Sequence, residues 1–486
     1  MVFLVIGKIG LERGRDASFH IHSLSGNDIR HNKSTPTNMT ARAGSNWGQQ
    51  MKPIIGRIGG RLHFEGIDVQ ELCERLGTPL FLISEGLLRD RFRRFRGEFQ
   101  KRYSNVVVAY SYKTNYLPSV CSILNKEGAW AEVVSLLELS IAEMIGVEPQ
   151  KIIFNGPSKS NDGLLNAVEL GVRVLNVDSI SELQRIVDLV RDTDLKVNVG
   201  FRLSYPGRSP SRNKFGITAE QILDGCSIIS KERGIRYMGL HTHIGTEITQ
   251  IDKYEKAIDV LTDLASSIYR RFGFQTEIID IGGGFAFKEV VPYSHKGPWS
   301  PPSFSEYASR ICSRLALAST ERLPKPPTLV LEPGRALVGP TALLVTRVIA
   351  TKQVSGINWV VTDAGLNLIP EAELNRHRIA PAVLRGGKPK RVSVAGPLCV
   401  YEDVIRYRIE MPPIKEGDVL AIFDVGAYSI SLSWQFIKLR GGVCLLHDRE
   451  YEIIRRPETV EDVLRLDIIP SRLANNQEKE FQKRHK

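Results

Sequence analysis

Between residues 106 and 332 the sequence repeats one unit, a short apolar run that reads as a strand followed in most cases by ten or more residues with helical periodicity. Eight such runs end at Lys113, Ser135, Asn155, Asp178, Arg202, His243, Gly282 and Glu332. Four of the intervening segments open on the spacing of a capping box: Ser135-x-x-Glu138, Ser179-x-x-Glu182, Thr218-x-x-Gln221 and Ser303-x-x-Glu306. In that motif a hydroxyl and an acid or amide cap each other's backbone N–H groups. A single match is weak, but recurrence after successive strands is not. Eight strand–helix alternations in about 250 residues predict an α/β fold, a TIM (β/α)8 barrel, with its reactive groups at the carboxyl ends of the strands.

The flanks read differently. Residues 8–50 are rich in Ser, Asn, Gly, Arg and Thr without periodicity, so 1–52 is expected to be a disordered extension. Asp68-Val-Gln-Glu71 opens a capped helix that Gly77-Thr-Pro79 stops, and Leu80–Ser84 is a short strand. After Glu332 long helices disappear. Strand-like segments follow at Leu343–Thr351, Trp359–Asp363, Arg391–Ala395, Val419–Asp424 and Phe436–Leu446. The plan is therefore a segment 53–84 joining a β-domain, a barrel over 85–335, the β-domain over 336–470 and a charged tail over 471–486.

The net charge of +11 does not indicate a nucleic-acid partner. Residues 1–52 hold seven Lys or Arg against three Asp or Glu, and residues 472–486 five against two, so the folded part carries little of the excess. Six cysteines (Cys73, Cys121, Cys226, Cys312, Cys399 and Cys444) form no C-x-x-C pair, which argues against a disulfide framework and a structural zinc site. The apolar start Met1–Gly7 lacks a basic flank, and no run approaches the about 20 residues of a membrane span. A cytoplasmic protein without membrane association is expected.

Within this frame the run Val106–Ala109, apolar on both faces, leads straight to Lys113. A lysine at a strand mouth can lose solvent, which lowers its pKa and makes the amine a nucleophile able to form a Schiff base. His243 and Thr246 close the sixth strand, Gly282-Gly283-Gly284 the seventh, and Glu332-Pro-Gly334-Arg335 the eighth. Three glycines leave backbone N–H groups open to an anion. A TIM barrel often binds phosphate after strands seven and eight. Lysine, phosphate cradle, imidazole and carboxylate at one barrel mouth suit pyridoxal 5'-phosphate (PLP).

Tyr110-Ser-Tyr-Lys-Thr-Asn115, Asn176-Val-Asp-Ser179, Asn213-Lys-Phe-Gly-Ile217, His241-Thr-His-Ile-Gly245, Asp280-Ile-Gly-Gly-Gly284, Glu332-Pro-Gly-Arg335, Gly396-Pro-Leu-Cys399 and Gly426-Ala-Tyr428 occur in that order. With the closing Arg455–Asp462 they resemble the fold-type III PLP decarboxylases, the diaminopimelate and ornithine decarboxylase family, over Leu62–Asp467. The resemblance implies an alanine racemase-like architecture and a homodimer with active sites at the subunit interface. Lys113 would hold PLP, His243 would stack on its ring, and Thr246, the glycines 282–284, Gly334, Arg335 and Tyr428 would hold the phosphate. Glu332 would pair with the ring nitrogen. Cys399 would be offered to the partner's substrate.

This sequence departs from the family in its substrate half. Val400 and Tyr401 follow Cys399 where the family has an acid, with Glu402 and Asp403 displaced. Asp363-Ala-Gly is not followed by the family's arginine, Glu132 replaces an aspartate and Asn213 a serine. These changes predict a decarboxylase acting on a modified or conjugated amino acid of a specialised pathway, with Glu402, Asp403, Arg376 or Arg378 able to compensate if the loops shift. Decarboxylation of meso-diaminopimelate is the alternative. A PLP racemase and a non-catalytic relative are further readings, disfavoured by Glu332 and by the retained Lys113, glycines and Tyr428.

Overall fold

The computed structural model describes residues 54–205, 213–470 and 472–473. The expected N-terminal extension and all of the charged tail except 472–473 lie outside the described residues.

Eight parallel strands close into a barrel: Val106–Ser111, Trp130–Val133, Ile152–Phe154, Val174–Val177, Val197–Arg202, Ile235–His241, Ile278–Asp280 and Thr328–Leu331. Closure joins the last to the first, with Leu329–Leu331 in register with Val106–Val108. The fifth strand ends at Arg202 as read from sequence, and the other seven end one or two residues before the position read, because the polar residue that marks the end already belongs to the loop. Lys113 stands on a single 3-10 turn, Tyr112–Thr114, after its strand.

Each of the four expected helix starts carries its N-cap hydroxyl bond, but only two are reciprocal boxes. Thr218 with Gln221 and Ser303 with Glu306 cap each other. At the other two the acid is diverted. Glu182 takes the buried ammonium of Lys159 at 2.6 Å, and Glu138 accepts the N–H of Val134 at 2.8 Å. The helix behind Ser179 buries Leu183, Ile186, Val187 and Val190 against the barrel.

A second, nine-stranded sheet follows the barrel. Leu80–Ser84 is one of its inner strands, antiparallel to Ala342–Val345 and parallel to Gly442–Leu446, and all five of its residues are buried. Four of the five strand-like segments after Glu332 match strands, at Ala342–Val354, Ile357–Thr362, Lys390–Ala395 and Val419–Phe423. The fifth needs correction. Its strand is Gly442–His447, while Phe436, Ile437 and Leu439 are exposed outside it. Gly441, just before it, packs so close to the chain that a side chain there would come within 2.2 Å of the carbonyl oxygen of Pro79.

Several strands escape the sequence reading, the longest being Val404–Met411 and Glu450–Arg455. Both are mostly solvent-facing and carry charges such as Arg406, Arg408, Glu450 and Glu452, which break the apolar signature of a strand. No described helix is long and apolar enough to cross a membrane.

Candidate active site

A cavity opens at the carboxyl end of the barrel, with about 510 Å3 of space free of protein atoms. Lys113, Thr114, His243, Gly245, Thr246, Gly284, Glu332, Gly334, Arg335 and Tyr428 line it, together with Ser111, Phe285 and Ala336. The barrel thus gathers eight of the expected site residues, drawn from its first, sixth, seventh and eighth strands and from the β-domain.

The glycines do three different jobs. Gly282 and Gly284 have φ of +68° and +91°, in the left-handed region that favours glycine. A side chain at Gly283 would come within 2.2 Å of the Glu332 carbonyl oxygen. The expected row of open N–H groups is only partly present, because the loop folds back on itself. Gly282 N–H donates to Asp280 at 2.8 Å and Gly283 N–H to His243 Nδ1 at 3.2 Å, and neither residue lines the cavity. Gly284 does. The bond from Gly283 makes Nδ1 an acceptor and so fixes the orientation of the His243 ring.

Tyr428 enters from the β-domain with φ of +57°, an uncommon conformation for a bulky residue. Its N–H donates to the Thr114 carbonyl at 2.8 Å, and the Arg335 guanidinium lies 4.8 Å from its ring centroid. These contacts hold the strained residue in place beside the first strand's end. Arg335 is also paired with Glu371 and lies 3.7 Å from Glu247.

Beneath the cavity lies a buried polar network made by the last residues of neighbouring strands. The Lys113 ammonium contacts Glu132 and donates to Ser111 Oγ at 2.6 Å. Asn155 Nδ2 donates both to Glu132 at 3.1 Å and to Glu332 at 2.5 Å, and Asn176 Nδ2 donates to Asn155 Oδ1 at 2.8 Å. Glu332 is also hydrogen-bonded to Asp280 and lies 3.7 Å from His241.

This network overturns one expectation about Lys113. Burial acts to lower its pKa, but the charges of Glu132 and Glu332 outweigh burial, and the amine is held above its usual range. Its side chain still keeps 38 % of its surface open to the cavity. Burial acts to raise Glu132, yet Lys113 outweighs it and the carboxyl is held below its usual range. Burial, joined by the charge of Glu132, pushes Glu332 up to about 7. Burial and then Glu332 raise Asp280 well above the carboxylate range, while burial and then Arg202 keep His241 neutral. Burial and Glu332 thus favour the protonated form of Asp280, which can donate toward Glu332.

The residues fit a phosphorylated aromatic aldehyde. Thr114 Oγ1 and Arg335 Nε are buried at the cavity without hydrogen-bond partners, and a side chain at Gly334 would come within 2.0 Å of Thr114 Oγ1, so the cradle tolerates only glycine there. An amine, an imidazole, donors for an anion and a buried carboxylate are the groups such a cofactor needs. The family described as pyridoxal-dependent decarboxylase, pyridoxal binding domain, matches residues 86–339. The chain belongs to the pyridoxal-dependent decarboxylases.

Relatives extend that likeness beyond the barrel. Diaminopimelate decarboxylase of Methanocaldococcus jannaschii is 32 % identical over 437 residues, covering 85 % of this chain and 96 % of the relative. The Aquifex aeolicus enzyme of the same name is 26 % identical over 428 residues, covering 86 % of this chain and 98 % of the relative. A crystal structure of the M. jannaschii enzyme superposes with a TM-score of 0.80 at 31 % identity, covering 87 % of this chain and 99 % of that one. As a pyridoxal-dependent decarboxylase, this protein is a PLP-dependent amino-acid carboxy-lyase with a TIM barrel and a β-domain.

Cys399 and the substrate-half residues stand apart from the cavity. Cys399 is exposed on a loop and does not line the cavity of its own chain, and Val400 and Tyr401 beside it are exposed. Two of the four suggested compensating residues are otherwise engaged. Asp403 is buried and accepts the N–H groups of Leu366 at 2.8 Å and Leu398 at 2.7 Å, and Arg378 is bound to Asp424. Arg376 stacks on the Tyr293 ring and forms no ion pair with any described residue, and Glu402 lies close enough to Glu373 to raise its pKa after burial. Asn213 donates to Ser204 Oγ at 2.6 Å.

Sequence reading missed Ser111, Glu132 as the partner of Lys113, Asn155, Asp280 and His241. A usable signal was present. All are the last polar residues before or at the ends of barrel strands, and reading those positions around the ring would have put them together.

Proposed function

We propose that the protein removes an α-carboxylate from meso-diaminopimelate, the alternative weighed above against a modified amino acid. The convergence of Lys113 and Glu332 on one cavity carries the reaction class. The substrate reading is supported by the relatives, which carry that activity in their names over nearly their whole length.

Bound at this site, PLP supplies a conjugated ring that takes up the electron pair left when CO2 departs. Lys113 would supply the amine that holds the cofactor, and His243 would cover one ring face. Thr246, Gly284, the backbone at Gly334 and Arg335, and Tyr428 would receive the phosphate. Glu332, held by Asn155 and Asp280, would pair with the ring nitrogen and favour its protonated form. A homodimer would bring Cys399 of one subunit to the substrate of the other, where its thiol can position the substrate or deliver a proton.

A second reading has its own observation. Val400 stands where the family has an acid, and Glu371, in the stretch where the family has an arginine, pairs with Arg335. Such a site suits an amino acid whose tail is modified or conjugated, because an uncompensated charge in a pocket costs several kcal/mol. Steady-state kinetics separate the two. A kcat/KM of about 10⁴ M⁻¹s⁻¹ or more with meso-diaminopimelate supports the first reading. Turnover confined to tail-modified amino acids establishes the second.

A further inference from the structure

Asn155 sits between two carboxylates of the buried network, Glu132 and Glu332. One amide nitrogen serves both, at 3.1 Å from Glu132 Oε1 and 2.5 Å from Glu332 Oε1. All three side chains are buried, with relative exposures of 2 %, 1 % and 5 %. Two ionised carboxylates this close together in a dry interior repel strongly, and without a donor between them one of the two would protonate. An asparagine supplies that donor without adding charge.

The orientation of the amide is fixed. Asn155 Oδ1 accepts from Asn176 Nδ2 at 2.8 Å, so its nitrogen must point at the carboxylates. Asn176 is confined in turn, because a side chain at Gly200 would come within 2.1 Å of Asn176 Oδ1, and its backbone carbonyl accepts the Lys159 ammonium at 2.9 Å. Lys159 is fully buried and paired with Glu182. A chain of buried contacts thus runs from the helix carrying Glu182 through Lys159 and Asn176 to Asn155. None of these four residues lines the cavity.

We propose that Asn155 is a positioning residue that eases the joint ionisation of Glu132 and Glu332, so that Lys113 and the ring nitrogen of the cofactor can each be matched by their own carboxylate. The inference rests on the roles given above to Lys113 and Glu332. The charged and titratable groups facing these two carboxylates are Lys113, Glu138, Asp280 and His241, with Arg202 and Lys159 acting through His241. Among the described residues, Asn155 alone donates to both carboxylates through a single atom.

Three variants test it: Asn155→Leu removes the donor, Asn155→Asp adds a third carboxyl, and Asn176→Ala releases the amide without touching either carboxylate. Each change makes the carboxylates harder to ionise, so each shifts their titration to higher pH. Two quantities are read. The first is the pH midpoint at which the infrared C=O band of protonated carboxyls appears in the cofactor-free protein. The second is the acid limb of kcat in the loaded enzyme.

The inference expects both to rise by about one pH unit or more in the Asn155 variants, and by less in the Asn176 variant, with KM changed little. At the wild-type acid-limb midpoint that shift lowers turnover about fivefold or more. A purely structural role would reduce stability and cofactor loading and leave both midpoints in place, which would overturn it. If both Asn155 variants fail to fold, the Asn176 variant decides alone, and an unmoved midpoint there refutes the proposal. Should Glu332→Gln itself leave turnover unchanged, the reading of the site fails first, and the two failures remain distinguishable.

Discussion

Glu332→Gln is a nearly isosteric change whose effect follows from counting donors and acceptors. Glu332 accepts from Asn155 Nδ2 at 2.5 Å and can accept from Asp280, whose protonated form burial and Glu332 itself favour. A carboxylate has two oxygens and can also accept from a protonated ring nitrogen. Glutamine has one oxygen and one NH2. If the oxygen turns to Asn155, whose orientation Asn176 fixes, the NH2 turns to the remaining positions as a donor. A donor facing the ring nitrogen favours its unprotonated form, and the ring loses its capacity to draw electrons from the scissile carbon. Removing one preorganised charge-assisted contact to developing charge costs about 2.7–4 kcal/mol, or about 10²–10³ in kcat. Cofactor loading should survive, because Lys113 and the phosphate-facing residues are untouched, and KM should move by no more than about threefold, since the loss falls on the transition state. The assay is steady-state CO2 release alongside the visible absorption of the bound cofactor. Near-normal turnover in the Gln variant, with full loading, would refute the assignment of Glu332 to the ring nitrogen.

Sodium borohydride treatment of the loaded protein should bleach its visible band and fix the cofactor to the peptide containing Lys113; label on any other lysine sinks that assignment. Mixing inactive Lys113→Ala and Cys399→Ala subunits should restore up to about a quarter of wild-type activity, since random pairing leaves one intact site in each of the half of dimers that are mixed, and no recovery after verified exchange would place both residues outside a shared interface site. His377, buried and pushed down to about 4 by desolvation, is neutral when folded. Its stabilisation is complete above its unfolded pKa of about 6.5 and is lost as pH falls toward about 4, roughly 3 kcal/mol in all. Urea titrations at a series of pH values should show that loss, and a His377→Gln variant that retains the full pH dependence would show that another group is responsible.

Much of the architecture was written locally. Each barrel strand is a short apolar run, the four helix starts read from sequence carry their capping hydroxyls, and Lys113, the triple glycine and Glu332 mark their strand ends because polarity changes abruptly there. Those signals need only neighbouring residues, so a linear reading recovers them. The solvent-facing strands Val404–Met411 and Glu450–Arg455 were not recoverable in this way, since their charged faces cancel the apolar pattern and only pairing with a neighbour makes them strands.

The site's electrostatics were decided by tertiary structure alone. Asn155 and Glu332 are 177 residues apart and meet only because the eighth strand closes against the first. That closure surrounds Lys113 with two carboxylates and reverses the pKa shift expected from burial alone. Folding also gives two of the three glycine N–H groups acceptors within the protein, and in the β-domain Asp403 is buried on the N–H groups of Leu366 and Leu398. Sequence sets which groups stand at the strand ends. Their charges and partners depend on distances across the barrel, which no local pattern encodes.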